Sequence, residues 1–456
     1  MSSILNTALS ALNANQRALA TVSNNIANVN TDGYSRQTVD MATRQPNQFG
    51  FGAIGTGVQI TGIRRSYDEF VTTQLRNNTA GFFDQNTRYE LGSQLERVLV
   101  DEGNGINSAF SRFFNSLQDV AASPSSLSAR QVMLSQAQAL ANRFVDANAQ
   151  FTEVGNEVDA RINVAINDMN ALVQRIGDLN EVISKSSGQR QGAQPNDLLD
   201  QRDSAILELS KLVKVSTTQA ADGSMSVFTG SGQPLVLSGQ INTLSLDNNG
   251  RILLGGVSDI TTSLSGGAVG GLLAFRDGTL ATAKQELSEI AKTIADQFNA
   301  LQVGGVDLAG ANGTPLFGYN GDADNSTESI LSVRINDPVK IAASQGGGIG
   351  DNSNILAMAA LERSAVNING KTTTLGDSLR GLVGTVANQV REARLGSEAQ
   401  NSLMQQSLLR RDGISGVNLD EEAADLMKYQ QAYQAAAQMS SVANSIFQTL
   451  MDAFRR

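Results

Sequence analysis

Apolar residues at the amino-terminal end recur at alternating intervals of four and three: Leu5, Leu9, Leu12, Leu19 and Ile26, with Gln16 and Ser23 in the skipped slots. That spacing predicts an amphipathic, coiled-coil-like helix. A companion stripe, Ile4, Ala8, Ala11, Ala18 and Val22, runs beside it and widens the apolar face beyond what one partner helix covers. The helix is expected to end between Asn28 and Gly33, where turn formers and a glycine collect. The other end repeats the design. Leu426, Tyr429, Tyr433, Ala436, Ser440, Ala443, Phe447 and Leu450 form one stripe, and Ala432, Ala435, Met439, Val442 and Ile446 its companion. Asn418 reads as the helix cap, with Glu421 giving it capping-box character and Asp420 to Glu422 suiting the helix dipole.

Between the ends, residues 79–184 read as helical. Val158, Ile162, Ala165, Met169, Leu172, Ile176, Leu179 and Ile183 make a sustained heptad seam, with breaks expected at Gly103 to Gly105 and around Pro124. A further helix is expected from Leu280 to Leu301. From Val213 to Ser265 the pattern changes to short alternating runs separated by Gly, Asn and Asp, which predicts a small antiparallel β domain, and LSVRI at Leu331 to Ile335 either joins it or forms a satellite.

The expected fold is mainly α with a β insertion: a nested multidomain rod with paired terminal coiled-coil-like helices, a long helical bundle and a small antiparallel β domain. The corresponding boundaries are 1–45 with 405–456 for a terminal helical assembly domain, 46–195 with 270–304 and 352–404 for a long-helix domain, and 196–269 with 305–351 for a β-rich outer domain. The assembly interface is assigned to Leu5, Leu9, Leu12, Leu19, Ile26, Leu426, Tyr429, Tyr433, Phe447 and Leu450.

Composition narrows the function. With 41% hydrophobic residues the chain can bury a real core. The excess of 44 Asp and Glu over 34 Lys and Arg, with no basic run, disfavours nucleic acid. There is no cysteine and no histidine, which removes disulfides, thiolate metal sites and every mechanism built on imidazole. The opening segment lacks a basic leader and a continuous apolar core, so no Sec-type signal peptide is expected, and no apolar stretch of about 18 residues predicts a membrane span.

Candidate chemistry is sparse. Gly50, Gly52 and Gly55 match the dinucleotide pattern GxGxxG, but β-like sequence follows where a helix is required, so a glycine-rich turn is the better reading. Asp101 with Glu102, and Asp420 to Glu422, are carboxylates beside a loop and at a helix start, where no catalytic or metal role is needed to explain them. Arg64 with Arg65 and Arg410 with Arg411 read as solvated surface or as inter-subunit ion pairs. Tyr429 and Tyr433, one turn apart on an apolar stripe, read as packing residues rather than a ligand-stacking pair. No catalytic residue, cofactor or metal is expected.

The terminal stripes are mostly alanine with scattered leucine, and isolated helices of that kind are marginal in water. A large aliphatic contributes roughly 1.5–3 kcal/mol on burial, so a lone terminal pair would hold weakly and many copies side by side would hold well. The terminal helices are therefore expected to be poorly ordered in the monomer and to fold as neighbours pack on them.

The segment ALSALNANQRALATVSNNIANVNTDGYSRQ, with Asn24 to Asn28 as its NNIAN signature, resembles the opening of the flagellar axial family of rod, hook and hook-associated proteins, and SGVNLDEEAADLMKYQQAYQAAAQMSSVANSIFQTLMD resembles that family's carboxy-terminal segment. GYSRQ at Gly33 to Gln37, IGTGVQITGIRRSYDEFV at Ile54 to Val71 and NDLLDQRD at Asn196 to Asp203 are similar to its hook-associated branch, with GGLLAFRDGTL and DPVKIAAS extending the likeness. The short β region suggests that the outermost domain of longer relatives is missing. The resemblance implies a non-enzymatic structural subunit that joins hook to filament and self-associates in a ring or helical layer. It also implies contacts with hook protein and the next hook-associated protein, a flagellar export chaperone at the carboxy-terminal region, type III export without a cleaved signal peptide, and an extracellular place at the hook–filament junction. The other reading is a secreted adhesin or effector that binds through the β-rich domain.

Overall fold

The computed structural model describes residues 2–49, 52–99, 105–189, 194–321, 329–346 and 348–454. Helix α1 (Ser2–Ala27) leads into strands β1 (Gln37–Thr43), β2 (Asn47–Phe49), β3 (Gly52–Ile54) and β4 (Val58–Arg65). Helices α2 (Glu69–Leu99), α3 (Ile106–Ala122), α4 (Leu127–Gln189) and α5 (Asn196–Leu212) follow. Then come β5 (Val215–Gln219), β6 (Met225–Thr229), β7 (Pro234–Leu237), β8 (Gln240–Ile241), β9 (Leu244–Leu246), β10 (Ile252–Leu254) and β11 (Ser258–Asp259). The rest comprises α6 (Gly267–Ala274), α7 (Ala281–Gly304), β12 (Phe317–Gly318), β13 (Ser332–Val333), α8 (Ser353–Ala360), β14 (Val366–Ile368), β15 (Lys371–Thr373), α9 (Leu375–Ser415) and α10 (Leu419–Phe454). The chain is mainly α with β insertions.

Two compact units are each assembled from separate stretches: Met1–Phe83, Ala165–Ala268 and Ala399–Arg456 form the first, and Asp84–Val164 with Val269–Glu398 the second. In the first, β1 pairs antiparallel with β4, with a register shift at Asp40/Met41. β5 to β8 form an antiparallel meander, and β9 to β11 a second, smaller one. Both sheets are fastened to α4 by asparagine side chains that imitate a strand edge. Asn180 donates to Met225 O (2.8 Å) and accepts from Met225 N (2.9 Å). Asn170 makes the same pair of bonds with Leu244. A buried side-chain amide bonded on both faces leaves no polar atom unpaired.

In the second unit Phe113, Phe114, Phe298 and Phe317 form a buried ring cluster with centroids 5.2 to 5.9 Å apart. The fully buried Arg130 ties this unit's loops together by donating to the carbonyls of Pro124 (2.6 Å), Pro338 (3.3 Å) and Ile341 (2.6 Å).

The periodicity reading holds for most elements, with two differences, and the open choice for LSVRI is resolved. On the α4 seam, Leu172 and Leu179 are half-buried while Val173 and Asn180 are buried, because a straight helix drifts relative to a strict heptad. The helix expected from Leu280 is extended at its start by a π-turn over Phe275–Leu280 that connects α6 to α7. LSVRI forms a satellite hairpin, with β13 pairing β12 rather than either meander. Gly52 opens β3 and Gly55 begins the connection from β3 to β4, so neither sits in a strand–helix phosphate loop. Gly50, Asp101, Glu102 and Gly103 lie outside the described residues.

Candidate functional site

Helices α1 and α10 pair along their length. The buried residues of α1 are small: Ala8, Ala14, Ala18 and Val22, joined by Thr21 and Asn25. On α10 they are Ala436 and Ala443, with Glu422 at its start. Small side chains let two backbones approach closely, so α1 turns its alanine stripe inward and its leucine stripe outward. Leu5 and Leu9 are exposed, Leu9 by 54%, while Leu12, Leu19 and Ile26 are half-buried. On α10, Leu426 and Tyr429 are half-buried, and Tyr433, Phe447 (53%) and Leu450 are exposed, together with Met439, Val442 and Ile446 of the companion stripe. The chain thus brings the two helices together through alanines and leaves most of their large apolar side chains without cover. Contiguous apolar surface of that kind marks an interaction site.

The pair is fastened at its base by a polar clamp. Asn25, on the buried stripe of α1, donates Nδ2 to Gln37 O (2.9 Å) and to Glu422 Oε2 (3.0 Å). Its Oδ1 accepts from Gln37 N (3.0 Å) and the Tyr34 hydroxyl (2.8 Å). Glu422, in the first turn of α10, is 1% exposed and takes Arg36 Nε at 2.6 Å on its other oxygen. That bond, above all, raises the Arg36 pKa. Burial, then Asp197, Asp200 and Glu422, push the Tyr34 hydroxyl up to about 12. Gly33 takes φ +79°, the left-handed conformation that turns the chain from α1 into this cluster.

A second layer locks the clamp to α5 and α2. Ser35 N donates to Asp200 Oδ2 (3.0 Å), and Gln37 Nε2 to Asp197 Oδ1 (3.0 Å). Arg65 bridges Asp200 (2.8 Å) and Asp203 (2.7 Å) and stacks 4.3 Å over Tyr67, and Arg76 reaches Asp203 at 2.8 Å. Burial opposes the Arg65 charge, but Asp203 and Asp200 outweigh it and its pKa is raised; burial raises that of Asp200. Arg202, fully buried, donates to Asn180 Oδ1 (3.2 Å) and Gly223 O (2.7 Å), and burial lowers its pKa. Gly57, at φ +105°, lets the β3–β4 turn meet α1: an added Cβ would lie 2.1 Å from Ser10 Oγ.

This arrangement fixes helices. A cleft of about 240 Å³ beside it is lined by Tyr34, Tyr67 and the ion-paired Arg65, Asp200 and Asp203. Among the described residues no group of His, Cys, Asp and Glu could hold a metal ion, and no helix is long and apolar enough to cross a membrane. Arg64 stays exposed opposite Asp40 (3.5 Å), Arg410 sits 5.9 Å over Phe70, and Arg411 pairs with Asp412. Lys428 lies 5.1 Å over the ring of Tyr429. Glu421 makes an ion pair with Arg36 (3.5 Å), while the α10 cap is Asn418 Oδ1 accepting from Asp420 N (3.0 Å).

Sequence reasoning missed Asn25, Arg36, Glu422 and Asp200 as parts of one site. The available signal was Asn25, a polar residue that continues the Ala18–Val22 stripe and so must find partners when buried.

The same segments are matched by family models. The flagella basal body rod protein model matches residues 5–34, and the flagellar basal body rod FlgEFG protein C-terminal model residues 413–453, which span α1 and α10. The model of the flagellar hook-associated protein FlgK helical domain matches residues 92–317. A helical middle between two such ends defines a structural protein of the flagellar axial class. Flagellar hook-associated protein 1 of Bacillus subtilis is 30% identical over 498 aligned positions, covering 98% of this chain and 97% of that protein. Its Salmonella typhimurium counterpart is 29% identical over 554 positions, covering 99% and 100%. The chain belongs to the flagellar hook-associated protein 1 family. Both alignments are longer than its 456 residues, so these relatives carry segments it lacks. The solved flagellar hook junction protein FlgK from Burkholderia pseudomallei shares the fold, with a TM-score of 0.67 at 22% identity over 75% of this chain and 100% of that one.

Proposed function

We propose that this chain is a non-enzymatic subunit of the junction between flagellar hook and filament, and that copies associate through the outward faces of α1 and α10. The observation that carries this reading is the division of labour on the terminal helices: alanines make the intramolecular contact, while Leu5, Leu9, Tyr433, Phe447 and Leu450 remain uncovered. Each large side chain buried on assembly contributes roughly 1.5–3 kcal/mol, more than an alanine seam supplies. Leu12, Leu19, Ile26, Leu426 and Tyr429, already half-buried, complete the same faces.

The clamp holds the base of α10, whereas beyond Tyr433 only Ala436 and Ala443 are buried among the described side chains. Its free end is therefore weakly held in the monomer and gains order as neighbours cover it, which couples ordering to association. Hook protein and the next hook-associated protein are the partners on either side of the layer. Export proceeds through the flagellar type III route, with a chaperone covering the carboxy-terminal stripe until assembly, and the subunit ends outside the cell. The units that carry the β strands supply spacing and lateral contacts.

Removing residues 431–456 tests this directly. Assembly onto hooks is expected to be lost, with little change in the melting temperature of the monomer. Assembly by the truncated chain, or collapse of monomer stability, would contradict the proposal.

A further inference from the structure

We infer that Arg36 is the positioning residue that sets the direction in which the terminal helix pair leaves its unit. The inference rests on the assembly reading above and adds the part of the site that orients it. Residue 36 touches both sides of the α9–α10 joint. Its backbone N–H donates to Ser415 O (2.8 Å), the last residue of α9. Its guanidinium binds the start of α10, with Nε on Glu422 (2.6 Å), Nη1 near Glu421 (3.5 Å) and Nη2 near Asp425 (3.5 Å). Its own carbonyl accepts from Ser66 N (2.7 Å), which ties the joint to the connection between β4 and α2.

Other contacts at the joint do not fix a direction. Only Gly416, Val417 and Asn418 separate the two helices, and the apolar side chains fully buried on α1 and α10 are alanines and one valine, which give little resistance to sliding or pivoting. The Glu421 and Asp425 contacts are partly exposed, at 61% and 32% for the carboxylates, so solvent screens them. Glu422 is different. It is buried, and any swing of α10 that withdrew it from Arg36 and Asn25 would leave a buried carboxylate unpaired, which is strongly unfavourable. Arginine suits this role because its planar fork can face several carboxylates at once, whereas an ammonium is a single point charge.

The absence of native cysteine allows a direct test in the full-length chain. Spin labels are placed at Gln405→Cys on α9 and Gln430→Cys on α10, both exposed, and the distance distribution is measured by pulsed electron resonance. A single narrow peak is expected for the otherwise unaltered chain. Arg36→Gln and Glu422→Gln should each broaden it, Arg36→Lys should recover part of the narrowing, and Arg64→Gln, on the neighbouring exposed arginine, should leave it unchanged. Circular dichroism melting of each variant confirms that the fold persists; if Arg36→Gln fails to fold, the comparison of Arg36→Lys with Arg64→Gln decides. A broad peak in the unaltered chain, equally narrow peaks in both clamp variants, or equal broadening by Arg64→Gln would overturn the inference. The assembly reading stands or falls separately, on the truncation of residues 431–456.

Discussion

Asn25 Nδ2 lies 3.0 Å from Glu422 Oε2, and this single hydrogen bond joins two helices whose bonding residues stand 397 positions apart in the chain. Asn25 also carries bonds to the backbone of Gln37 and the hydroxyl of Tyr34, so every polar atom of its side chain is used. Replacing it by alanine strands a buried carboxylate oxygen and two donors. Asn25→Ala should lower the stability of the unit by about 2–3 kcal/mol in urea titration, and Asn25→Asp, which sets a second carboxylate against Glu422, by more. A loss no larger than that of an exposed substitution such as Asn13→Ala would show that the clamp contributes little.

The outward stripes give the opposite signature. Leu9→Asp and Phe447→Asp alter exposed positions, so monomer stability should shift by no more than about 0.5 kcal/mol. Sedimentation or electron microscopy of hook preparations should nevertheless show that assembly is impaired. Normal assembly by the double variant would remove these faces from the interface.

Alkaline pH offers a handle on the clamp. The Tyr34 hydroxyl is pushed from 10.0 to about 12, so the folded chain favours the neutral phenol. Its contribution to stability is complete below the unfolded value near 10 and is lost as pH rises through about 12. Burial also raises the Tyr67 pKa, so absorbance titration of tyrosinate should show late components of which Tyr34→Phe removes one. An unreduced late amplitude in the variant would assign it away from Tyr34.

Gly57 is a test of the contact between the β3–β4 turn and α1. With φ at +105° and Ser10 Oγ in the space of a side chain, Gly57→Ala should cost about 1–3 kcal/mol. Gly278, which has open space around it and no positive φ, should tolerate alanine. Equal effects at both positions would contradict the close approach.

The long helices, the terminal pair and the central meanders were legible because each repeats one period over many residues. The facing of α1 was not. Its two stripes are both apolar, and the smaller one is buried because close helix packing selects alanine over leucine. The clamp was illegible for a different reason. Glu422 has a sufficient local explanation as an acidic residue at a helix start, and nothing in its neighbourhood announces partners in the Asn25–Gln37 segment. The motifs NNIAN, GYSRQ and NDLLDQRD stand apart in the sequence, yet Asn25, Ser35 to Gln37 and Asp197 to Asp203 meet in one network. β1 carries too few large apolar residues to stand out, and the β14–β15 hairpin is too short for an alternating pattern.

Hydrogen exchange on the purified monomer, repeated after assembly onto hooks, tests the central claim most directly. In the monomer, amides near Asn25 and in the first turns of α10 around Glu422 should be protected, while those of α10 beyond Tyr433 exchange quickly; after assembly the whole of α1 and α10 should become protected. Slow exchange along all of α10 in the monomer, with no further protection on assembly, would contradict an account in which the outward faces of the terminal helices are completed by neighbouring copies.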